Sequence, residues 1–395
     1  MTDEQSPPLV PPTTHRLRDQ RPQSPNRPSK LAKIDGGDLS GGVEEEEEEQ
    51  RESIGSVMSP NPKLQRYLIA IEYIGTRFSG AQKQPTGRTV VGVLEDAFQR
   101  FIGQPVSVFC SSRTDAGVHA LSNVCHVDVE RISKRKPGEV LPPHEASVVK
   151  RAVNHFLQRE GDLMVIDVRC VPSNFHARYK AQERTYFYRI LSGKGPLSAF
   201  EKDRAWHVQE ELDLIAMQKA CQVLIGRHDF SSFRAAACEA KSPIRTLEEL
   251  TVTEVVSSPY FPSLLEREQS NRAAVDTASV SDKLGADFVP CIAEPCNNPV
   301  GNLSRESIQG FGIKERHRCF VITTRARSFL YHQVRLLVGV LKSVGTGDLT
   351  VPDVDGESGL VERILKAKDV RAASPMAPAC GLYLGHVKYD LPPNM

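Results

Sequence analysis

The chain has 395 residues, 39% of them hydrophobic and 25% charged, and a formal net charge of +1. That length permits two or more packed units with substantial cores, and the lack of any run of about 18 apolar residues excludes a membrane-spanning helix. Nine cysteines scattered from Cys110 to Cys380, with no C-x-x-C pair, exclude a disulfide-built scaffold and read as reduced thiols of an intracellular protein.

The small net charge conceals a segregated chain. Residues 1–62 hold 7 Lys+Arg against 12 Asp+Glu, and the remainder holds 43 against 37. The first stretch combines many prolines, Gly41-Gly42 and the run from Glu44 to Glu49. Such a composition cannot bury enough apolar surface to offset its ordering entropy, so 1–62 reads as a disordered acidic tail. It lacks the apolar stretch of a secretory signal and is too acidic and proline-rich for an ordinary mitochondrial transit peptide, which suggests the cytoplasm or nucleus. The mildly basic remainder suits a partner that carries phosphates.

Ordered structure is expected from Tyr67, where Tyr67, Ile69, Ile71 and Tyr73 alternate with Leu68, Ala70 and Glu72 as in a strand. Val91, Leu94, Phe98, Phe101 and Ile102 then recur at helical spacing, with Thr89 as N-cap. Strands are predicted over 105–110 and 123–130, a helix over 145–159, and strands over 163–171 and 185–191. A helix over 212–226 follows, then strands over 247–256 and 319–326, helices over 330–344 and 360–367, and a last strand over 382–389. The stretch 257–316 is Ser/Asn/Glu-rich with five prolines and reads as a flexible insertion. This order predicts an α+β fold of two similar halves, 63–193 and 194–395, with antiparallel or mixed sheets, helices packed on them and a central cleft.

Between the strands 105–110 and 123–130 lies Arg113-Thr114-Asp115-Ala116-Gly117-Val118-His119-Ala120. Asp115 sits at the end of a strand pair, beside a glycine that lets the backbone approach a ligand closely. Alone, Asp-x-Gly does no more than close a turn; Arg113 before it and His119 after it make the segment more specific.

The octapeptide resembles the signature of the TruA family of tRNA pseudouridine synthases, and five further segments in the same order are similar to that family's motifs. They are Phe175-His176-Ala177-Arg178, Arg184-Thr185-Tyr186-Phe187-Tyr188, Gly226 to Phe233, Phe329 to Arg335, and Ala377 to Leu384. Within the family, the Ser111-Ser112 pair and the detail of the Phe329 to Arg335 segment look most like the animal tRNA pseudouridine synthase-like branch.

The resemblance implies isomerisation of uridine to pseudouridine in tRNA or other structured RNA, with Asp115 as the catalytic carboxylate. A carboxylate can act there as a nucleophile at the sugar or base, or as a base removing a sugar proton. If shielded from water it needs a paired cation to stay ionised, and family correspondence assigns that pair to Arg335, whose guanidinium fork suits it. Tyr186 is expected to stack on the uracil, and Arg113 to fill the stack that the flipped base leaves or to hold phosphate. His119, Arg178, His228 and Asp229 read as substrate-groove or supporting residues. Lys180, Arg184, Arg227, Arg234, Lys241 and Arg245 are expected to follow the RNA backbone. The resemblance also implies a homodimer holding tRNA across both subunits, and its closest branch is associated with mitochondria.

No phosphate-binding glycine motif is present, and Cys291, Cys296 and His317 fit no zinc spacing. The reaction is redox-neutral, so no cofactor or metal is expected. Ser112 stands where the family commonly has glycine, and Ala81 where it has tryptophan; both changes touch the choice of RNA target. Two other readings are an RNA-binding or chaperone-like protein that has lost catalysis, and a carboxylate glycosidase. Retention of Asp115, Tyr186 and Arg335 argues against the first, and the lack of a second suitably placed carboxylate against the other.

Overall fold

In the computed structural model the described residues are 64–255, 317–349, 359–373 and 375–391. The tail 1–62 and the insertion expected at 257–316 lie outside them. The chain runs β1 (Leu64–Tyr73), α1 (Val90–Ile102), β2 (Val108–Cys110), β3 (His119–Glu130), α2 (Ala146–Leu157) and β4 (Leu163–Val171). It continues through β5 (Glu183–Ser192), β6 (Trp206–Val208), α3 (Leu214–Leu224), β7 (Gly226–Asp229), β8 (Ile244–Val255) and β9 (Arg318–Ala326). Two helices, α4 (Gln333–Gly345) and α5 (Leu360–Ala367), precede the last strand, β10 (Leu382–Lys388).

All ten strands join one sheet in the order β4-β1-β3-β10-β5-β9-β8-β7, with β2 beside β3 and β6 beside β5. Pairings are antiparallel except β10 with β3 and β6 with β5. The α+β class with a mostly antiparallel sheet is therefore as expected. Two hydrophobic clusters divide the sheet. One gathers β1, β3, β4, α1 and α2 around Tyr67, Ile69, Leu94 and Phe98; the other gathers α3, α4, β8 and β9 around Met217, Phe233, Phe320 and Leu337. The chain weaves between them: Tyr188 and Ile190 of β5 pack in the second cluster, and Leu384 and Val387 of β10 in the first. The final strand thus stitches the flanks together along the seam where the candidate site lies.

Local signals account for the elements. Thr89 accepts a hydrogen bond from the Gly92 N–H at 3.2 Å, and Gly103 closes α1 in the left-handed region, as its capping residues require. Asp213 caps α3 through the Ile215 and Ala216 N–H groups, so this helix begins at Leu214 and not at 212. It also ends before 226, because Ile225 turns extended and Gly226–Asp229 pairs with β8 instead. His228 and Asp229 therefore sit on a sheet edge.

Helix α4 differs from the amphipathic helices in being apolar almost all round, with Val334, Leu336, Leu337, Val338, Val340, Leu341 and Val344 buried. Such a helix belongs inside the molecule. At Gly339 an added Cβ would lie 2.2 Å from the Pro375 carbonyl oxygen, so the segment before β10 lies directly against this helix. Truncating any one of the buried leucines to alanine costs about 2–5 kcal/mol. The packing gives Arg335, in the first turn of α4, a fixed base.

Candidate active site

The Asp115 loop is held by a buried polar network. Ser111 donates its backbone N–H to the Val124 carbonyl at 2.7 Å and its hydroxyl to Asn123 Oδ1 at 3.0 Å. The Asn123 amide donates in turn to the Ser112 carbonyl and to the Tyr73 hydroxyl, both at 3.2 Å. Tyr73 and Thr114 share a hydrogen bond of 2.7 Å, and the Thr114 carbonyl accepts from the Ala81 N–H at 3.0 Å. Ser111, Ser112, Thr114, Asn123 and Tyr73 are all buried, and burial raises the Tyr73 phenol far above its ordinary value, keeping it neutral. Buried networks with these groups paired are rigid, because any broken bond orphans a desolvated group. Gly117 completes the turn at φ 79°, in the left-handed region, where an added Cβ would also lie 3.3 Å from that of Ala379.

Ser112, the departure from the family pattern, is built into this frame. Its hydroxyl accepts from Arg184 Nε at 3.3 Å. Arg184 also donates to the carbonyls of Ser111, Arg178 and Arg327 at 3.2, 3.1 and 2.6 Å. Its guanidinium is thus committed to fastening the loop to β5, which corrects the expectation that Arg184 follows an RNA backbone. Arg234 and Arg245 likewise bind carbonyl groups of their own segment, whereas Lys180 and Arg227 are exposed.

Asp115 meets the second flank at the start of α4. Arg335 Nη1 lies 3.3 Å and His332 Nε2 3.1 Å from the same carboxylate oxygen, Oδ2. Arg335 does not present the expected fork to the carboxylate, because its Nε donates to the Ala377 carbonyl at 2.8 Å. The three side chains are mostly buried, with Asp115 the most open at 24% exposure. Among the described residues Oδ1 accepts no hydrogen bond. His332 is itself in the left-handed region, at φ 62°, so the predicted helix over 330–344 begins only at Gln333. Its imidazole is pushed below its ordinary pKa by burial and by Arg335, against the pull of Asp115.

Tyr186 completes the group. It is partly buried, its ring stands edge-on to Phe329 with centroids 5.2 Å apart, and burial raises its phenol, with the Asp115 charge adding to the effect. Asp115 and Arg335 therefore meet, with His332 as a third member that the sequence reading did not select, and Tyr186 stands near enough for the Asp115 charge to act on its phenol. A histidine three residues before Arg335 was the available signal.

The other expected residues stand elsewhere. Arg113 is exposed and reaches Glu239 at 3.5 Å, a surface pair of little energetic consequence. Arg178 is exposed, 5.9 Å above the Tyr179 ring. His119 is buried: Nδ1 accepts from the Gly75 N–H at 3.0 Å, Nε2 faces the Asp203 and Cys380 carbonyls at 3.1 and 3.2 Å, and the ring stacks on Tyr383. Both ring nitrogens are engaged, so His119 pins the start of β3, and it also lines a cavity with Tyr73, Arg204 and Tyr383. His228 donates to the Ile225 carbonyl at 2.8 Å. Asp229 accepts from the Ser231 N–H and hydroxyl and pairs with Lys368 at 3.1 Å, and together these bonds hold its carboxyl below the usual range despite burial. His228 and Asp229 thus brace the turn after β7. Among the described residues no cluster of three or more metal-ligating side chains occurs, and no helix is long and apolar enough to cross a membrane.

A family model described as tRNA pseudouridine synthase matches residues 69–180 and 220–390. All the motif segments fall in those stretches except 184–188, which lies in the gap between them. The tRNA pseudouridine synthase A of Rhodospirillum centenum is 37% identical over 326 residues, which cover 82% of this chain and 100% of that protein. That of Xanthobacter autotrophicus is 35% identical over 326 residues, again 82% and 100%, and that of Parvibaculum lavamentivorans 34% over 327 residues, 83% and 100%. The chain belongs to the tRNA pseudouridine synthase family, in its TruA branch, and is an isomerase.

Proposed function

We propose that the protein converts uridine to pseudouridine in tRNA, with Asp115 as the reacting carboxylate. The observation that carries this reading is the geometry at Asp115: Arg335 and His332 both occupy Oδ2, and Oδ1 is left for the nucleotide. The isomerisation breaks the bond from N1 to the sugar C1′, turns the uracil, and joins C5 to C1′. The proton lost at C5 is matched by the one gained at N1, so neither oxidant nor energy source is consumed. Oδ1 can serve either as the nucleophile or as the base in this sequence. Arg335 counters the carboxylate charge in a partly dry site, where such a pair acts more strongly than in water.

A uridine within a stacked arm must leave its stack to reach Oδ1, at a cost of a few kcal/mol. Tyr186 is the aromatic positioned to receive the base. Arg113, two residues before Asp115 and paired among the described residues with exposed Glu239, is placed to exchange that partner for RNA. The test compares wild type with Asp115→Asn and Asp115→Ala on tRNA lacking pseudouridine. Loss of product with tRNA binding retained supports the reading; a fully active Asp115→Asn refutes it. Tight tRNA binding by the wild type without any product would favour the inactive RNA-binding alternative.

A further inference from the structure

Among the described residues only three other than glycine have positive φ: Asp203, His332 and Lys368. His332 is the one whose side chain reaches the Asp115 carboxylate. The left-handed conformation is one that residues with a Cβ rarely adopt, and its persistence calls for surroundings that enforce it. They are present. Gln333 is buried and its Oε1 accepts from the Leu330 N–H at 2.8 Å, closing the turn before α4. The Tyr331 ring stacks on the imidazole at 3.7 Å between centroids, fixing its plane. The Leu336 N–H then bonds the His332 carbonyl at 3.1 Å and starts the helix. A turn built this way aims Nε2 at Oδ2, whereas an ordinary helical residue at 332 would aim its side chain elsewhere.

A single contact leaves a carboxylate free to rotate about its last bond. Two side chains closing on one oxygen restrict that rotation and bias where the other oxygen points. Arg335 supplies one contact at 3.3 Å and His332 the other at 3.1 Å. We propose that His332 is a positioning residue: together with Arg335 it locks Asp115 through Oδ2 so that Oδ1 is presented to the nucleotide. The contact is the close approach of Nε2 to Oδ2 at 3.1 Å, so the role does not require the ring to titrate. The inference rests on the reading of Asp115 given above.

The test uses the full chain and bulk tRNA from cells lacking the protein, with melting temperature, tRNA affinity, kcat and KM measured for each variant. His332→Gly suits the left-handed backbone and removes the side chain. It is expected to melt no lower than wild type and keep KM within about threefold, while kcat falls about 10- to 100-fold, the scale of a misplaced reacting group. His332→Gln, whose amide Nε2 offers a donor at similar reach, is expected to recover part of that loss. A His332→Gly enzyme with wild-type kcat overturns the proposal. So does a kcat loss matched by lower melting or weaker tRNA binding, which would make the residue merely structural. An active Asp115→Asn beside an impaired His332→Gly would instead break the reading of Asp115, and the inference with it.

Discussion

Replacing Arg335 by lysine keeps the positive charge but removes the geometry that lets one side chain serve two partners. Its Nε binds the Ala377 carbonyl at 2.8 Å while Nη1 reaches Asp115 Oδ2 at 3.3 Å. A single ammonium on a flexible stem reaches one of these, not both. Ala377 is fully buried, so orphaning its carbonyl costs about 1–3 kcal/mol of stability. At 3.3 Å and an effective dielectric near 20 the Coulomb attraction to Asp115 is about 5 kcal/mol. Desolvation and the surviving His332 contact reduce the net loss to about 2–3 kcal/mol, or about 30- to 150-fold in rate. Arg335→Met is expected to show the full loss of rate and of stability. Arg335→Lys is expected to lose one of the two more than the other. Urea unfolding and single-turnover pseudouridine formation separate them. Wild-type values of both in Arg335→Lys would refute the two-partner arrangement, as would an undiminished rate in Arg335→Met.

Gly117→Ala places a Cβ at φ 79° and 3.3 Å from that of Ala379, so it is expected to lower stability by about 1–2 kcal/mol and to slow the reaction more than it weakens tRNA binding; unfolding and kinetic assays read both. His126 gives a pH prediction: burial first, then His176 and Arg66, hold its pKa down at about 3 in the folded protein. Because that lies below its ordinary value of 6.5, the unfolded chain binds a proton that the folded chain refuses. Its contribution to stability is present above about pH 6.5 and is lost as pH falls toward 3, by up to roughly 1.4 kcal/mol per unit. Melting between pH 7 and 4 should therefore fall more steeply for wild type than for His126→Asn, and equal slopes would contradict the assignment.

Much of the fold was legible because local signals agree with tertiary packing. Thr89 caps α1, the Tyr67 to Tyr73 alternation forms β1, and the apolar stretch after Arg335 forms the buried helix α4. The boundaries that moved did so for reasons periodicity does not carry. His332 adopts a left-handed conformation and delays α4, while Ile225 turns extended and frees Gly226–Asp229 to join the sheet. The stitching of β10 between β3 and β5 was likewise invisible, since strand order is a long-range property.

At the site, motif resemblance and position led to Asp115, Arg335 and Tyr186; the structure pairs the first two and leaves Tyr186 within reach of the Asp115 charge. The same reasoning gave His119, His228 and Asp229 a groove or supporting role, and their polar atoms bind backbone or neighbouring side chains. A polar residue inside a motif has two roles open to it, holding the frame or meeting the ligand, and only hydrogen-bond partners separate them. Arg184 and Ser112 show the converse. They read as an RNA contact and a change of RNA target, and in the structure they tie the Asp115 loop to β5.

The central claim is that Oδ1 of Asp115 carries out uridine isomerisation in tRNA. The most direct measurement maps pseudouridine across tRNA from cells that lack the protein and are supplied with either wild type or Asp115→Asn. The account predicts that specific uridines regain pseudouridine with wild type and remain unmodified with Asp115→Asn at equal protein level. Restoration of the same positions by Asp115→Asn would contradict it.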